Sequence, residues 1–261
     1  MEILLGELRY LRRMCGRILV GFVLLFAMFL MVPLSSQTVA GFSVPLPATE
    51  GTTIAEQTIR LMRADLVPAG VELVSMTPID AFYANAAISA MLAILILCPL
   101  ALYEMWRFVS PGLYSHERRT LRLLVLLSAV LFVVGAVFAY VMLIPIIFSG
   151  LYAFTPVDAQ ALFSLRALVS LVAGMMLATA FLFLIPVVMV ILSRAGVVPA
   201  PWWSDHAREA ILITLVVSAI ITPDGSGLSM VVLALPMCAL YGGGYAGSMI
   251  LTRKERSVQV A

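Results

Sequence analysis

The chain has 261 residues, of which 62% are hydrophobic and only 11% are charged, and its formal net charge is +2. A mean hydropathy of +1.08 excludes a soluble globular domain, because such a domain could not hide that much apolar surface from water. The small net charge gives no reason to expect nucleic acid as a partner. The composition is typical of a polytopic membrane protein, whose spans are surrounded by membrane lipid.

The chain begins with a basic segment, residues 1–16, in which leucines recur at three- and four-residue steps while Glu7 and Arg9 lie off that stripe. This pattern predicts an amphipathic segment on the cytoplasmic face, and a simpler interpretation is that its arginines only set orientation at the membrane surface. The first span follows at about residues 17–33. It is too long for the core of a cleaved signal peptide, so we interpret it as a retained span.

Residues 35–80 are too polar to span a membrane and too long for a bare connector, which predicts a folded external cap. Inside this cap, residues 52–64 are expected to form a short helix. The second span covers about residues 82–102, with Pro99 near its end.

Residues 104–120 form the most polar loop between two long apolar runs, and we predict that they are the first cytoplasmic loop. A Pro-Gly pair at Pro111 turns the chain, because proline fixes φ and glycine accepts a positive φ. An ordinary positively charged loop with aromatic residues at the membrane interface would have a similar composition. The charged and aromatic residues of the loop are Glu104, Trp106, Arg107, Phe108, Tyr114, His116, Glu117, Arg118 and Arg119.

The third span stays apolar over about residues 121–154, which is longer than a bilayer requires, so it must tilt, bend or protrude. Pro145 is the expected position of a bend. The fourth span, at about residues 166–193, is interrupted by Pro186. Both long helices are therefore predicted to be bent.

The fifth span is predicted over residues 210–221, after a loop whose two tryptophans suit a headgroup boundary. At a rise of about 1.5 Å per residue it is too short for a hydrocarbon core of about 30 Å. Either the bilayer thins there, or this span and the sixth, at about residues 228–251, dip only part of the way. The turn between them must find water or protein, because lipid cannot satisfy backbone polar groups.

The distribution of the 16 Lys and Arg residues predicts the orientation of the chain. Four lie in or beside the N-terminal segment, four in the first loop or its exit, two before span five and three in the tail at 252–261, whereas Arg60, Arg63 and Arg166 fall on the opposite side. The positive-inside rule then places both termini in the cytoplasm. We predict one all-α, polytopic membrane domain over residues 1–261, with six transmembrane helices, bent long helices 3 and 4, and short helices 5 and 6 around a concave face.

No catalytic, metal-binding or cofactor motif is found in the sequence. The three cysteines are scattered in apolar runs without a CxxC pair, and we interpret them as small apolar residues. The two histidines have no cluster of acidic residues or cysteines at metal-ligand spacing, and neither a GxxxxGK[ST] loop nor a GxSxG elbow occurs. We therefore expect no enzyme activity, no cofactor and no metal.

Three stretches together resemble the TatC family, the polytopic subunit of the twin-arginine protein translocase. The long loop motif is specific, whereas the two shorter motifs alone are weak. The number of spans, the predicted orientation and the short last hairpin are similar as well, so the resemblance covers the whole chain. The three stretches are Glu7-Leu8-Arg9, the loop from Tyr103 to Arg119, and Thr222-Pro223-Asp224 followed by an Ala-Leu-Pro sequence that ends at Pro236.

The resemblance implies a receptor and core subunit that exports folded proteins whose signal peptides carry two consecutive arginines. It implies single-span TatA/TatB-like subunits and other TatC copies as partners, and the proton motive force as the source of energy. It implies a multi-pass protein of the cytoplasmic membrane of a prokaryote. The long first external loop is closer to that of the archaeal members.

The resemblance also implies which residues bind the signal peptide. Glu7 and Glu117 would pair with its arginines, and Phe108 would help to form the apolar platform; for both glutamates, a local ion pair with a neighbouring arginine is the alternative. Asp224 and Pro99 are implied to have a role in transport, although Asp224 also suits a turn without any such role. The implied signal-peptide-binding residues are Glu7, Arg9, Phe108, Pro111, Leu113, Tyr114, His116, Glu117 and Arg118.

Two departures from the family pattern concern acidic residues. Leu184 stands where members commonly have a glutamate in span four, and Gly242 stands where many have an acid after the last Ala-Leu-Pro. An acid inside a membrane is costly and usually functional, so a polar contact with a single-span partner must be supplied differently here or be weaker.

A secondary transporter or channel for a small solute is the main alternative function. It would require charges or broken helices around a midplane site, together with internal repeats. The predicted spans contain no such charges, and the two halves of the chain are not alike. An intramembrane enzyme would need a nucleophile with a base at membrane depth, and no histidine lies there.

Overall fold

The computed structural model describes the backbone of the chain in seven ranges, and side-chain surroundings over somewhat shorter ranges. The backbone is described at residues 2–39, 42–47, 51–67, 72–109, 118–153, 162–223 and 227–259. Side-chain surroundings are described at residues 11–33, 51–67, 73–105, 123–152, 164–223 and 227–250. The chain divides into two compact units, Met1–Val125 with Val157–Gly174, and Leu126–Pro156 with Met175–Ala261. Each unit is described by itself.

Helices dominate the described residues, and short strands accompany them. The helices are α1 (Glu2–Met31), α2 (Ile54–Leu66), α3 (Pro78–Val109), α4 (Arg118–Phe138), α5 (Ile144–Ala153), α6 (Leu165–Leu182), α7 (Ile185–Arg194), α8 (Ala200–Asp205), α9 (Ala207–Ile221) and α10 (Leu228–Gln259). The strands are β1 (Pro33–Val39), β2 (Phe42–Pro47), β3 (Thr52–Thr53), β4 (Glu72–Val74) and β5 (Leu162–Ser164).

The long helices α1 and α3 pack against each other in the first unit. The predicted N-terminal segment and the first span form one continuous helix, because no proline interrupts the sequence before Pro33. At Gly21 the two helices approach closely, since a Cβ atom placed there would lie 3.1 Å from Cδ1 of Leu97. This contact fixes the depth at which α1 and α3 meet.

The segment between these two helices contains a small antiparallel sheet and the helix α2. Strand β1 pairs with β2 on one side and with β3 on the other, so β2, which contains Pro45 and Pro47, lies at an edge where proline is tolerated. Helix α2 begins with a capping box. The amide of Glu56 donates to Oγ1 of Thr53 at 3.2 Å, and the amide of Thr53 donates to Oε2 of Glu56 at 3.3 Å. The short helix predicted at residues 52–64 is confirmed from residue 54 onward, whereas residues 52 and 53 form β3.

The starts of α3 and α6 are joined in the first unit by a parallel pair of strands. Glu72 pairs with Leu162 and Val74 with Ser164; β5 leads directly into α6, and three residues separate β4 from α3. Two residues into α3, Asp80 lies 3.7 Å from the guanidinium of Arg166, close to the start of α6. Strands were not predicted here, because the pairing joins segments that are far apart in the sequence.

The two long apolar runs of the chain are interrupted next to their prolines, where bends were predicted. A π-helical turn, Ala139–Leu143, separates α4 from α5 just before Pro145. Proline lacks an N–H and its ring collides with the carbonyl four residues earlier, so the regular helix cannot continue there. Helices α6 and α7 are likewise separated by a turn at residues 183–184, two residues before Pro186.

Small residues and a few polar contacts hold the second unit together. Helix α10 lies so close to α7 that a Cβ atom on Gly244 would fall 2.9 Å from Cα of Pro186 and 2.7 Å from Sδ of Met189. Helix α8 is tied to both. Nε1 of Trp203 donates to Oγ of Ser193 at 2.8 Å, and the hydroxyl of Tyr241 donates to the carbonyl of Trp203 at 2.6 Å.

Among the described residues, five helical stretches are long and apolar enough to cross a membrane. They are Leu11–Met31, Pro78–Met105, Leu123–Tyr152, Leu165–Arg194 and Leu228–Ile250. The predicted fifth span corresponds to α9, whose 15 residues reach only about 22 Å. Six spans are compatible with this arrangement. The sixth helix is longer than predicted, since α10 has 32 residues and includes most of the expected tail.

The first loop is shorter than the 104–120 predicted from polarity. Helix α3 continues to Val109 and α4 already begins at Arg118, so both flanking helices extend into the predicted loop, whose cytoplasmic position stays a prediction. The reason is that polar residues do not stop a helix, whereas Pro111 and Gly112 are the first residues after Pro99 that disfavour one. Residues 110–117 lie outside the described part of the chain.

Candidate functional site

The candidate site lies at one end of the pair formed by α1 and α3. Arg17 contacts Glu104 and, four residues later, Gly21 faces Leu97, so the two helices run in opposite directions. The N-terminal part of α1 and the C-terminal end of α3 therefore lie at the same end of the first unit. All residues predicted to bind a signal peptide belong to this unit.

A salt bridge joins the two helices at the base of this end. Nη1 of Arg17 lies 3.2 Å from Oε1 of Glu104, and Nη2 donates to Oε2 at 3.3 Å. The arginine side chain is 54% exposed and the glutamate side chain 19%. Two parallel contacts between a guanidinium and a carboxylate fix orientation as well as distance. The more shielded carboxylate would lose most if its partner were removed.

Helix geometry places the predicted recognition residues beyond this salt bridge. Glu7 precedes Arg17 by ten residues, which corresponds to about 15 Å along α1. Phe108 follows Glu104 by four residues, or about 6 Å along α3. The backbone thus brings the segment with Glu7 and Arg9 to the same end as the last turn of α3.

The remaining predicted residues are placed less completely. Arg118 is the first residue of α4, and its side chain, like those of Glu7, Arg9 and Phe108, lies outside the described part. Pro99 is half-buried inside α3. Their functional roles stay predictions. The predicted site residues outside the described backbone are Pro111, Leu113, Tyr114, His116, Glu117 and Asp224.

Sequence reasoning missed the contact between Arg17 and Glu104, which it treated as separate surface charges. The two residues are 87 positions apart, so no local pattern links them. A signal was nevertheless present, because opposite charges flank the same side of two consecutive apolar runs. If two such runs form an antiparallel helical hairpin, charged residues at the same distance from the membrane lie next to each other.

The two positions that depart from the family pattern are both described. Leu184 is half-buried in the turn between α6 and α7. Gly242 is exposed on α10, and a Cβ atom built on it would have no neighbour within 4 Å.

Comparison with known proteins gives matches along most of the chain. A model of the family described as Sec-independent protein translocase protein (TatC) matches residues 5–236. A TatC protein of Cenarchaeum symbiosum is 35% identical over 209 residues, which cover 80% of this chain and 78% of that protein. A TatC protein of Halothiobacillus neapolitanus is 35% identical over 178 residues, or 68% of this chain; the chain spans about half of that relative's length, 48%.

A solved structure is similar in fold. The crystal structure of a twin arginine translocase receptor, TatC, matches with a TM-score of 0.73 and 27% identity, and the match covers 94% of this chain and 99% of that one. The predicted fold class, an all-α polytopic membrane protein, is confirmed by this match. The relatives include bacterial, archaeal and chloroplast proteins and so do not support the expected archaeal source.

Proposed function

Because the chain belongs to the TatC family of Sec-independent protein translocase proteins, whose members are membrane subunits of protein transport, we propose that it is the signal-peptide receptor and core subunit of a twin-arginine translocase. In this role it exports folded proteins across the cytoplasmic membrane of a prokaryote, and the proton motive force supplies the energy. Its partners are the twin-arginine signal peptides of the cargo, single-span TatA/TatB-like subunits and further copies of the chain.

The observation that carries this proposal is the antiparallel pair of α1 and α3, whose shared end carries the Glu-Leu-Arg motif and the start of the longer motif. The similar solved structure is that of a twin arginine translocase receptor. In this chain the Glu-Leu-Arg motif lies in α1, and the longer motif begins in the last turns of α3. A receptor site at this end draws on two segments that the fold brings to one place.

The chemistry of two consecutive arginines favours two separate acids. In an extended peptide, neighbouring side chains point to opposite faces, so one carboxylate cannot pair with both guanidinium groups. Glu7 on α1 and Glu117 just before α4 supply one carboxylate each. Each pair is bidentate, which explains a preference for arginine over lysine, whose ammonium group is a point charge without the planar fork.

The apolar part of the signal requires an apolar surface next to this acidic site. In the apolar stretch of α1, only 11% of the residues are buried within the protein, the lowest share among the five described spans. Exposed side chains such as Leu19, Leu24 and Leu100 line α1 and α3 below the salt bridge. This surface accommodates lipid when the site is empty and the apolar segment of a signal peptide when it is filled.

Binding of a twin-arginine signal peptide to the purified protein tests the proposal. We expect the wild type to bind an Arg-Arg peptide at least tenfold more tightly than its Lys-Lys variant, and Glu7→Gln and Glu117→Gln each to weaken Arg-Arg binding about tenfold, a loss of about 1.4 kcal/mol that is typical of a charge-assisted hydrogen bond. Glu209→Gln, which removes an exposed acid at the start of α9, serves as the control. Equal binding of both peptides by all four proteins would overturn the receptor role.

A further inference from the structure

We propose that the salt bridge between Arg17 and Glu104 is a positioning element of the signal-recognition site. It holds the N-terminal part of α1, which carries Glu7, in register with the last turn of α3, which carries Phe108. This inference rests on the receptor function proposed above and deepens it by naming residues that set the geometry of the site without touching the signal peptide.

The geometry of the pair supports this role. Its two contacts, 3.2 and 3.3 Å long, use both terminal nitrogens of the guanidinium, Nη1 and Nη2, and both oxygens of the carboxylate. Such a fork restricts the rotation of each helix about its own axis as well as their separation. Within the described part of the chain, this is the only ion pair that joins α1 to α3.

The position of the pair means that a small change in helix orientation there produces a large displacement at the site. Gly21 and Leu97 form an apolar contact that fixes the two helices on the membrane side, and the salt bridge adds a second point of contact toward the site. Glu7 lies about 15 Å beyond that second point. A tilt of α1 by about 10° there would move Glu7 by about 3 Å, which is enough to break a hydrogen bond.

The exposure of the pair makes this role separable from stability. The Arg17 side chain is 54% exposed, and ion pairs at such surfaces contribute little to folding. Removal of the arginine should therefore leave the fold intact while it loosens the register of the helices. An opposite role is also testable: if Arg17 only masked Glu104 as a further acid for the signal, its removal would strengthen binding.

Distances between spin labels test the positioning directly. Labels are attached to cysteines at Leu11 and Met105, which are 38% and 43% exposed, in a chain whose native cysteines are replaced by alanine. We expect one narrow distance distribution for the parent protein, a broad one for Arg17→Gln, and a narrow one again for the charge-exchanged double variant R17E/E104R. An equally narrow distribution in Arg17→Gln would overturn the inference.

Peptide binding tests the consequence for recognition. Arg17→Gln should lower the ratio of Lys-Lys to Arg-Arg dissociation constants at least threefold, and R17E/E104R should restore it, a rescue that general destabilisation does not produce. Arg12→Gln removes an exposed charge from the same helix and should leave the ratio within twofold. Tighter Arg-Arg binding by Arg17→Gln would show that the arginine masks an acid and would refute positioning.

The two measurements separate this inference from the function on which it rests. If the wild type binds both peptides equally, the receptor proposal fails, whereas the label distances still decide whether the pair fixes the helices. If the wild type discriminates but the distances and the ratio do not respond to Arg17→Gln, the receptor proposal stands and the positioning role fails.

Discussion

At the C-terminal end of α3, Glu104 meets Arg17 through two contacts of 3.2 and 3.3 Å. At the N-terminal end of the same helix, Asp80 meets Arg166 through a single contact of 3.7 Å. By contact geometry alone, the first pair is the better one. The surroundings reverse that order, because among the described residues only the second pair is accompanied by other polar interactions that hold the same segments together.

Several of these accompanying interactions surround Asp80 and Arg166. The amide of Thr77 donates to Oδ2 of Asp80 at 3.0 Å, and the guanidinium of Arg166 lies 4.5 Å from the ring centre of Tyr83. Strands β4 and β5 add backbone hydrogen bonds shortly before both helices. This end of α3, predicted to be external, is therefore held by several polar interactions, whereas the polar contact at the other end is a single ion pair whose arginine is exposed.

The difference suggests that the two ends of α3 have different roles. Redundant contacts make an end insensitive to any single change and suit a permanent structural joint. A single bidentate pair fixes the orientation of the two helices but contributes little to stability, so it can be altered without unfolding the protein. Substitutions at the two ends should consequently differ in kind, with losses of stability at the Asp80 end and losses of recognition at the Glu104 end.

The largest loss of stability is expected for Asp80→Ala. Asp80 is only 7% exposed, and its removal leaves the amide of Thr77 and the guanidinium of Arg166 without their acceptor. We expect the free energy of unfolding in detergent to fall by roughly 1–3 kcal/mol, measured by tryptophan fluorescence during denaturation.

Asp80→Asn separates the two interactions of this residue, because it keeps an oxygen for the amide of Thr77 but removes the charge. The decrease in the free energy of unfolding should be at most half of that caused by Asp80→Ala. If both variants unfold like the wild type, the interactions around Asp80 do not determine the stability of this end.

The same contrast explains which parts of the molecule could be predicted from its sequence. Helix α2 was predictable because its capping box, Thr53 and Glu56, is local, and the interruptions near Pro145 and Pro186 follow from the missing proline N–H. Strands β4 and β5 were not, since they pair across almost ninety residues and carry too few residues for a periodic pattern.

Prediction of the site had a different limit. The acids Glu7 and Glu117 and their predicted role both came from resemblance to a family, and the chemistry of carboxylate and guanidinium is consistent with that role. The salt bridge between Arg17 and Glu104 was missed, because this pairing depends on the register of two helices, and apolar runs without a period do not specify a register. Polarity also did not reveal where α3 ends, since this helix continues with charged residues beyond the apolar run.

An intermediate loss of stability is expected for Arg166→Gln. The substitution removes the ion pair with Asp80 and the contact with the ring of Tyr83, but the guanidinium is 53% exposed and the strand pairing remains. We expect a decrease of roughly 0.5–1 kcal/mol in the free energy of unfolding. Discrimination between Arg-Arg and Lys-Lys peptides should stay within twofold of the wild type.

Arg166→Lys is the matched control for this prediction, since it retains the charge but not the planar group that lies over Tyr83. Its stability should fall between those of the wild type and Arg166→Gln. A lysine variant as unstable as the glutamine variant would assign the whole effect to the planar contact and none to the charge.

The smallest loss of stability is expected for Arg17→Gln, about 0.5 kcal/mol or less in the same denaturation experiment, because an exposed ion pair gains little over its hydration in water. The same variant should lose the most recognition of the three, since the end of α3 that it loosens has no second polar contact to α1 among the described residues. Asp80→Ala should thus lose more stability than Arg17→Gln, whereas Arg17→Gln should lose more recognition than Asp80→Ala. If Arg17→Gln lost as much stability as Asp80→Ala, the salt bridge would be a structural joint like the one at the other end, and the weaker peptide binding would follow from unfolding alone.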